Sequence, residues 1–343
     1  MIISENNITT VQLNSTADWQ HQLSHCISDF KSLCAYLQLE PEQLPFSDLA
    51  DQQFALKVPL PYAQRMQKGN IHDPLLRQVL PDPRELEHIA GFSTDPLQEA
   101  AANQITGLIH KYKNRVLITL SGACAINCRY CFRRHFPYTK NKVGSSQWQK
   151  ILDYIKADPS IEEVIFSGGD PLATSDKRLN SFINDLSAIK QLQRLRIHSR
   201  LPVVIPQRIT TDLCEMLRNT HLQTVLVIHA NHANEFDDTV KQALAKLRAA
   251  DVTVLNQAVL LKGINDSVAL QKALHTASFK AGALPYYLFV LDPVQGAAHF
   301  DISDTQAQQL VIELQRELPG YLVPKLAREI PGKPNKTLLA VVS

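Results

Sequence analysis

From residue 115 onward, short apolar or β-branched runs alternate with segments whose apolar residues recur every three to four positions. The runs at 116–120, 163–166, 195–198, 224–228, 252–259 and 286–291 predict strands. The segments 147–157, 177–189, 211–218, 238–249, 268–281 and 305–318 predict amphipathic helices between and after them. Ser303 stands where it can cap the last helix, its hydroxyl accepting from a free N–H of the first turn. A strand followed by a helix and another strand returns the chain in the same direction, so the repetition predicts an α/β fold with a parallel sheet. Six units are too few to close an eight-stranded barrel, which leaves a partial, open (βα)6 barrel or a doubly wound sheet. Either architecture puts its chemistry at the C-terminal ends of the strands.

Before residue 106 the pattern is different. Segment 17–39 has helical spacing, with Leu23, Cys26, Ile27, Phe30 and Leu33 on one face. Pro59, Pro61, Pro74, Pro81 and Pro83 then punctuate short elements. The expected organisation is a mostly helical N-terminal cap over 1–105, the partial barrel over 106–325 and a C-terminal segment over 326–343.

Composition narrows the function classes. The chain is 45% hydrophobic and 20% charged, as soluble globular proteins are. A net charge of +2 is too small to draw nucleic acid or a membrane surface. No apolar run approaches the roughly 18 residues of a membrane span. Residues 1–7 lack the basic start and apolar core of an export signal. These features predict a cytoplasmic protein with neither nucleic-acid nor membrane partners. Its six cysteines do not form a disulfide framework, because three are crowded together.

Those three, Cys124, Cys128 and Cys131, follow the first predicted strand in a CxxxCxxC spacing. Three thiolates can hold a 4Fe–4S cluster and leave one iron open for chemistry. Zinc is the rival ligand, with His135 as the available fourth donor. Polar residues collect at the other strand ends too: Gly168, Gly169 and Asp170, then Ser199 and Arg200, then His229, Asn231 and His232. Asn256 and Gln257 lie within the fifth run, and Asp292 follows the sixth. Two adjacent glycines let backbone approach a ligand, although an ordinary strand–helix turn would also use them. Arg133, just past the cysteines, can hold a carboxylate bidentately, or be a solvated turn residue. Asp292 and Glu329 could together bind an ammonium group, or be surface charge. His110, Lys111 and Arg115 could meet a phosphate, or be basic residues of the kind common before a strand. A tail lysine such as Lys336 is ordinarily solvated, and its special use would be a covalent link to pyridoxal phosphate.

Several segments together resemble the lysine 2,3-aminomutase family: 73–81 (DPLLRQVLP), 128–135 (CRYCFRRH), 166–172 (FSGGDPL), 199–208 (SRLPVVIPQR), 286–300 and 320–336. The resemblance is collinear over roughly 70–340. The phrases RRHFPY at 133–138 and VQGAAHF at 294–300 are similar to the branch that supplies β-lysine for modifying translation elongation factor P.

The resemblance implies a partial radical S-adenosylmethionine barrel with an N-terminal helical extension. It implies three cofactors: a 4Fe–4S cluster on Cys124, Cys128 and Cys131, S-adenosyl-L-methionine beside it, and pyridoxal 5'-phosphate on Lys336, which register favours over Lys333. Lys111, Arg115, Gly168, Gly169, Asp170, Ser199, Asn256 and Gln257 would contact cofactors. Arg133 would hold the substrate α-carboxylate, while Asp292 and Glu329 would hold its side-chain ammonium; the family has aspartate at the place of Glu329. The implied activity moves the amino group of L-lysine from C2 to C3, giving β-lysine. A one-electron reductant and a functional link to elongation factor P and its lysyl-transferring ligase follow. The alternatives are an aminomutase acting on another amino acid such as glutamate, a radical enzyme without pyridoxal phosphate, and a non-catalytic iron–sulfur or zinc module.

Overall fold

The computed structural model describes residues 18–103, 105–141 and 143–341. Residues 1–7, read above for an export signal, and Ala17, the expected start of the first helix, lie outside them.

Among the described residues nine strands form one sheet: β1 (Leu108–Tyr112), β2 (Arg115–Ser121), β3 (Glu163–Gly168), β4 (Arg194–Ser199), β5 (Gln223–His229), β6 (Thr253–Val259), β7 (Leu284–Phe289), β8 (Lys325–Arg328) and β9 (Thr337–Leu338). Their order in the sheet is their order in the chain. Strands β2 to β8 pair in parallel, and β1 and β9 are antiparallel at the two edges. A doubly wound sheet reverses its strand order at a switch point. This one never reverses, so crossovers of one hand lay successive helices on one face and the sheet curls into an open barrel.

Helices Ser145–Ala157, Asp176–Ser187, Thr211–Arg218, Asp238–Ala249, Val268–Ala281 and Asp304–Glu317 join β2 through β8. Each turns an apolar face inward, for example Leu179, Phe182, Ile183 and Leu186 in the second. Ser303 caps the last as expected, and Gln306 Oε1 returns a bond to the Ser303 N–H at 3.3 Å. One apolar core runs from Trp19, Leu33 and Leu56 in the N-terminal region through Ile118, Phe166 and Leu195 to Val311 and Leu326.

Three sequence expectations need correction. The helix expected over 17–39 is broken into Trp19–Ser24 and Phe30–Leu37. Between them Ile27 exchanges backbone hydrogen bonds with Val58, and the Asp29 side chain caps a new start by accepting from the Ser32 N–H. The strand expected at 286–291 occupies Leu284–Phe289, so Asp292 lies beyond a short loop. Strand β8 straddles the boundary expected between 325 and 326, and pairs with β7 at Tyr287, Leu288 and Phe289.

Candidate active site

The C-terminal strand ends open onto one cavity of about 1060 Å³. Strand alternation decides what lines it. In β3, Glu163, Ile165 and Ser167 face the cavity, while Val164 and Phe166 are fully buried on the other side. In β4, Arg194, Arg196 and His198 face it, and Leu195 and Ile197 do not. A closed barrel fills its interior with packed branched side chains. Here charged and polar side chains such as Glu163, Ser167, Arg196 and His198 share the interior with apolar ones such as Ile165, Val225 and Leu255 and leave a void, as a ligand site requires.

The cysteine loop forms one wall, with Cys124, Cys128 and Cys131 all lining the cavity. The N-terminal region holds this loop in place. The Asn127 N–H donates to Lys57 O at 3.1 Å, the Arg129 N–H to Gln78 O at 2.9 Å, and Lys57 Nζ to Cys124 O at 2.7 Å. Glu85 grips Arg129 through two bonds and accepts from Arg134 at 2.6 Å, all three side chains being buried. Burial raises the Cys131 thiol to about 11 and pushes Cys124 well above its ordinary value. A bound cation reverses that preference, since a coordinated thiol loses its proton outright. The donor set therefore fits an iron–sulfur cluster. His135, the fourth donor of the zinc alternative, does not line the cavity with the three cysteines; its Nε2 lies 3.1 Å from the Gln295 carbonyl. Among the described residues no three His, Cys, Asp or Glu side chains close around a single ion.

Beside the cysteines the glycine turn is packed backbone to backbone. The Gly169 N–H donates to Ser121 O at 2.7 Å, and the Asp170 N–H to Ala123 O at 2.9 Å. Gly168 has φ +126°, which other residues rarely adopt, and a Cβ on Gly169 would meet Ala123 O at 2.7 Å. Side-chain-free backbone thus faces the cavity next to the cysteines. Asp170 spends its carboxylate on protein, accepting from Ser199 Oγ at 2.7 Å and from the N–H groups of Leu172, Arg200 and Leu201. Burial still raises it to about 6.

Ser199 and Asn256, expected among the cofactor contacts, do not line the cavity. Ser199 supports Asp170 from beneath the wall, and Asn256 pairs in both directions with the Ala230 backbone. Gln257 does line it, with Nε2 2.9 Å from His229 Nε2. Burial lowers His229 to about 3 and His198 well below its ordinary value, so both rings are neutral at pH 7.

From Arg133, just past the cysteines, a chain of alternating charge runs along the cavity. Arg133 donates through Nε and Nη2 to Glu99 at 2.7 Å each, and through Nη1 to Ser167 Oγ at 2.9 Å. Lys111 Nζ lies 3.6 Å from Glu99 and 2.9 Å from Glu329 Oε1. Lys336 Nζ donates to Glu329 Oε2 at 2.9 Å and sits 4.5 Å from the centre of the Phe289 ring. Burial works to raise Glu329, but the flanking ammonium groups of Lys336 and Lys111 outweigh it and hold the carboxyl at about 2.

Two expectations change accordingly. Arg133 does not present a free fork, since Glu99 already occupies it. Glu329 does not stand open beside Asp292, since two lysines take both its oxygens. Asp292 is the open one: its Oδ1 is buried without a hydrogen-bond partner, and burial, reinforced by Glu329, raises it to about 7. Lys336, Lys111, Arg115, Asp292 and Glu329 all line the cavity; Lys333 does not.

Glu99 had no sequence signal, because nothing in its spacing links it to an arginine 34 residues away. Arg194, Arg196 and His198 had one: they alternate strictly with Leu195, Ile197 and Ser199.

A three-cysteine loop after the first parallel strand of an open barrel, walled by backbone glycines, defines a radical S-adenosylmethionine enzyme. Residues 118–271 match the family model described as the Radical SAM superfamily. The chain belongs to the lysine 2,3-aminomutase family. It is 53% identical over 323 residues to the L-lysine 2,3-aminomutase of Haemophilus influenzae, covering 94% of this chain and 96% of that protein. It is 51% identical over 334 residues to that of Escherichia coli, covering 97% of each. The chain is an isomerase that uses a 4Fe–4S cluster and S-adenosyl-L-methionine.

Proposed function

We propose that this isomerase acts on free L-lysine, holds pyridoxal 5'-phosphate on Lys336, and makes (R)-β-lysine for the modification of elongation factor P in the cytoplasm. The observation that carries this reading is the shared cavity: the three cysteines line it together with Lys336 and the unpartnered carboxyl of Asp292. The relatives' name supplies the substrate. The physical complement is Asp292, a buried acceptor placed for a cation and repulsive to a glutamate side chain.

The residues fit a bound pyridoxal phosphate. Lys336 offers its amine over Phe289, and Arg115 lines the same cavity as a cation for the phosphate. Bound there, the cofactor supplies an aldehyde that captures amines and a ring system that stabilises an adjacent unpaired electron. S-adenosyl-L-methionine would lie between the cysteine loop and the Gly168–Gly169 backbone.

The protein's own groups do the rest. Glu329 stays ionised and orients Lys336 by its ammonium protons. When Lys336 is withdrawn from it, Oε2 becomes an open acceptor near Asp292, and the two carboxylates can share the substrate ammonium. A substrate carboxylate reaching Arg133 displaces Glu99 from the guanidinium. The neutral His198 and His229 rings and the aromatic residues of β7 exclude water around the reacting carbons.

Chiral chromatography of the product from L-lysine tests the destination. The (R)-enantiomer is expected; the (S)-enantiomer would exclude the elongation factor P branch while leaving the isomerase reading intact.

A further inference from the structure

The cysteine loop is touched by a buried cation to which the reading above gives no role. Arg200 follows β4, and its backbone is fixed by Asp170, which accepts from the Arg200 N–H at 2.8 Å. Its guanidinium Nη1 donates to Cys128 Sγ and to Tyr130 Oη. Its Nη2 donates to Gln78 Oε1 at 3.0 Å and to Tyr62 Oη and Glu235 Oε2 at 3.1 Å each. Arg200 is only 8% exposed and Glu235 is fully buried. Among the described residues this is the one guanidinium that donates to a cysteine sulfur of the loop. Four protein acceptors besides the sulfur hold it there, so its aim at the sulfur is set by the fold rather than by a mobile side chain.

We infer that Arg200 is a positioning residue that sets the reduction potential of the iron–sulfur cluster through its hydrogen bond to Cys128. The inference rests on Cys128 being a cluster ligand. Reduction adds one electron to the cluster, and part of that charge falls on the coordinating sulfurs. A charged N–H donor to one of them stabilises the reduced form more than the oxidised form, and hydrogen bonds to sulfur are among the determinants of cluster potential. Cleavage of S-adenosylmethionine draws its electron from the reduced cluster, so the donor regulates how readily an external reductant can arm the enzyme. Glu235 partly screens the cation, and its bonds to the Asn231 and His232 N–H groups fix its own place.

The test is a redox titration of the full-length reconstituted protein, followed by the electron paramagnetic resonance of the reduced cluster without added substrate. Arg200→Gln removes the charged donor. The double variant Arg200→Gln/Glu235→Gln removes both charges and leaves no carboxylate stranded. Each is expected to hold about four irons per chain and to show a reduced-to-oxidised ratio about tenfold lower at a given potential, a midpoint about 59 mV more negative. Arg200→Lys, which keeps a charged donor, recovers part of the shift. An unchanged midpoint in iron-loaded variants overturns the inference. Should the glutamine variants not load iron, the wild-type protein carrying ¹⁵N in its arginine guanidinium groups decides the matter. A ¹⁵N coupling to the reduced cluster is expected in pulsed resonance, and its absence overturns the inference. Cys128→Ala separates this from the underlying reading. If that variant keeps four irons and the wild-type signal, the three-cysteine assignment fails. If it loses the cluster while the Arg200 variants keep the wild-type midpoint, only the role of Arg200 fails.

Discussion

Lys336→Ala is expected to abolish isomerisation while the iron–sulfur cluster and the cleavage of S-adenosylmethionine survive. The two halves of the chemistry sit on different parts of the fold. The cysteines are held by the N-terminal region and the β2 loop, whereas Lys336 comes from the segment just before the edge strand β9. Removing the lysine takes away a covalent attachment point, and losses from removing such groups run to about 10⁴-fold or more in kcat, ~5–6 kcal/mol. It also deprives Glu329 Oε2 of its partner at 2.9 Å. Lys111 remains on the other oxygen, so the carboxylate keeps one cation and the fold is expected to stand. Iron content, S-adenosylmethionine cleavage and β-lysine formation, measured on one preparation, check this. Full isomerisation by the variant with added pyridoxal phosphate contradicts the assignment, and points to Lys333 if the cofactor is found there.

Asp292→Asn is expected to raise the KM for lysine far more than it disturbs cofactor binding. A charge-assisted bond to an ammonium is worth about 1.5–3 kcal/mol, or roughly 10- to 150-fold in kcat/KM. The variant also removes a pH limb. The Asp292 carboxyl in the ligand-free protein is raised to about 7 by burial and by Glu329. Only the ionised form pairs with ammonium, so wild-type kcat/KM rises as pH increases through about 7 and then levels. Engaging Lys336 with cofactor removes one charge that lowers this group, which moves the limb upward. Asparagine has no such limb.

Stability moves the other way. This carboxyl keeps its proton in the folded state while the unfolded chain ionises near its ordinary 3.8, so stability is lost progressively between about pH 3.8 and about 7 and the full cost is present above that. The variant is therefore expected to melt higher than wild type at pH 8 and to converge with it near pH 4. Unchanged lysine kinetics would refute the ammonium role.

The parallel core was legible because each βα unit carries its own local signal. Helices Thr211–Arg218, Asp238–Ala249 and Val268–Ala281 fall where the apolar period put them. What escaped was decided by partners distant in the chain. Strand β9 is two residues long and exists by pairing with β8. Strand β1 contains His110 and Lys111, whose polarity hides a strand that only its pairing with β2 reveals. In segment 17–39 the apolar period is real, but the exchange of bonds between Ile27 and Val58 outweighs it.

The site divides in the same way. The cysteines and glycines form local motifs and could be found directly. The pairing of Lys111 with Glu329 spans 218 residues, and only the rolled sheet brings them together. That pairing, and the hold of Glu99 on Arg133, is why residue types alone showed which groups meet in the cavity without showing which of them are already occupied.

We propose that the cysteine loop and Lys336 act on one lysine molecule in one cavity. The direct test is anaerobic turnover of the reconstituted protein with L-lysine deuterated at C3, S-adenosyl-L-methionine, pyridoxal 5'-phosphate and a strong reductant, followed by mass spectrometry and NMR. The expected result is deuterium in 5'-deoxyadenosine together with β-lysine that carries deuterium at C2. Cleavage of S-adenosylmethionine with lysine unchanged and no deuterium in 5'-deoxyadenosine would contradict it.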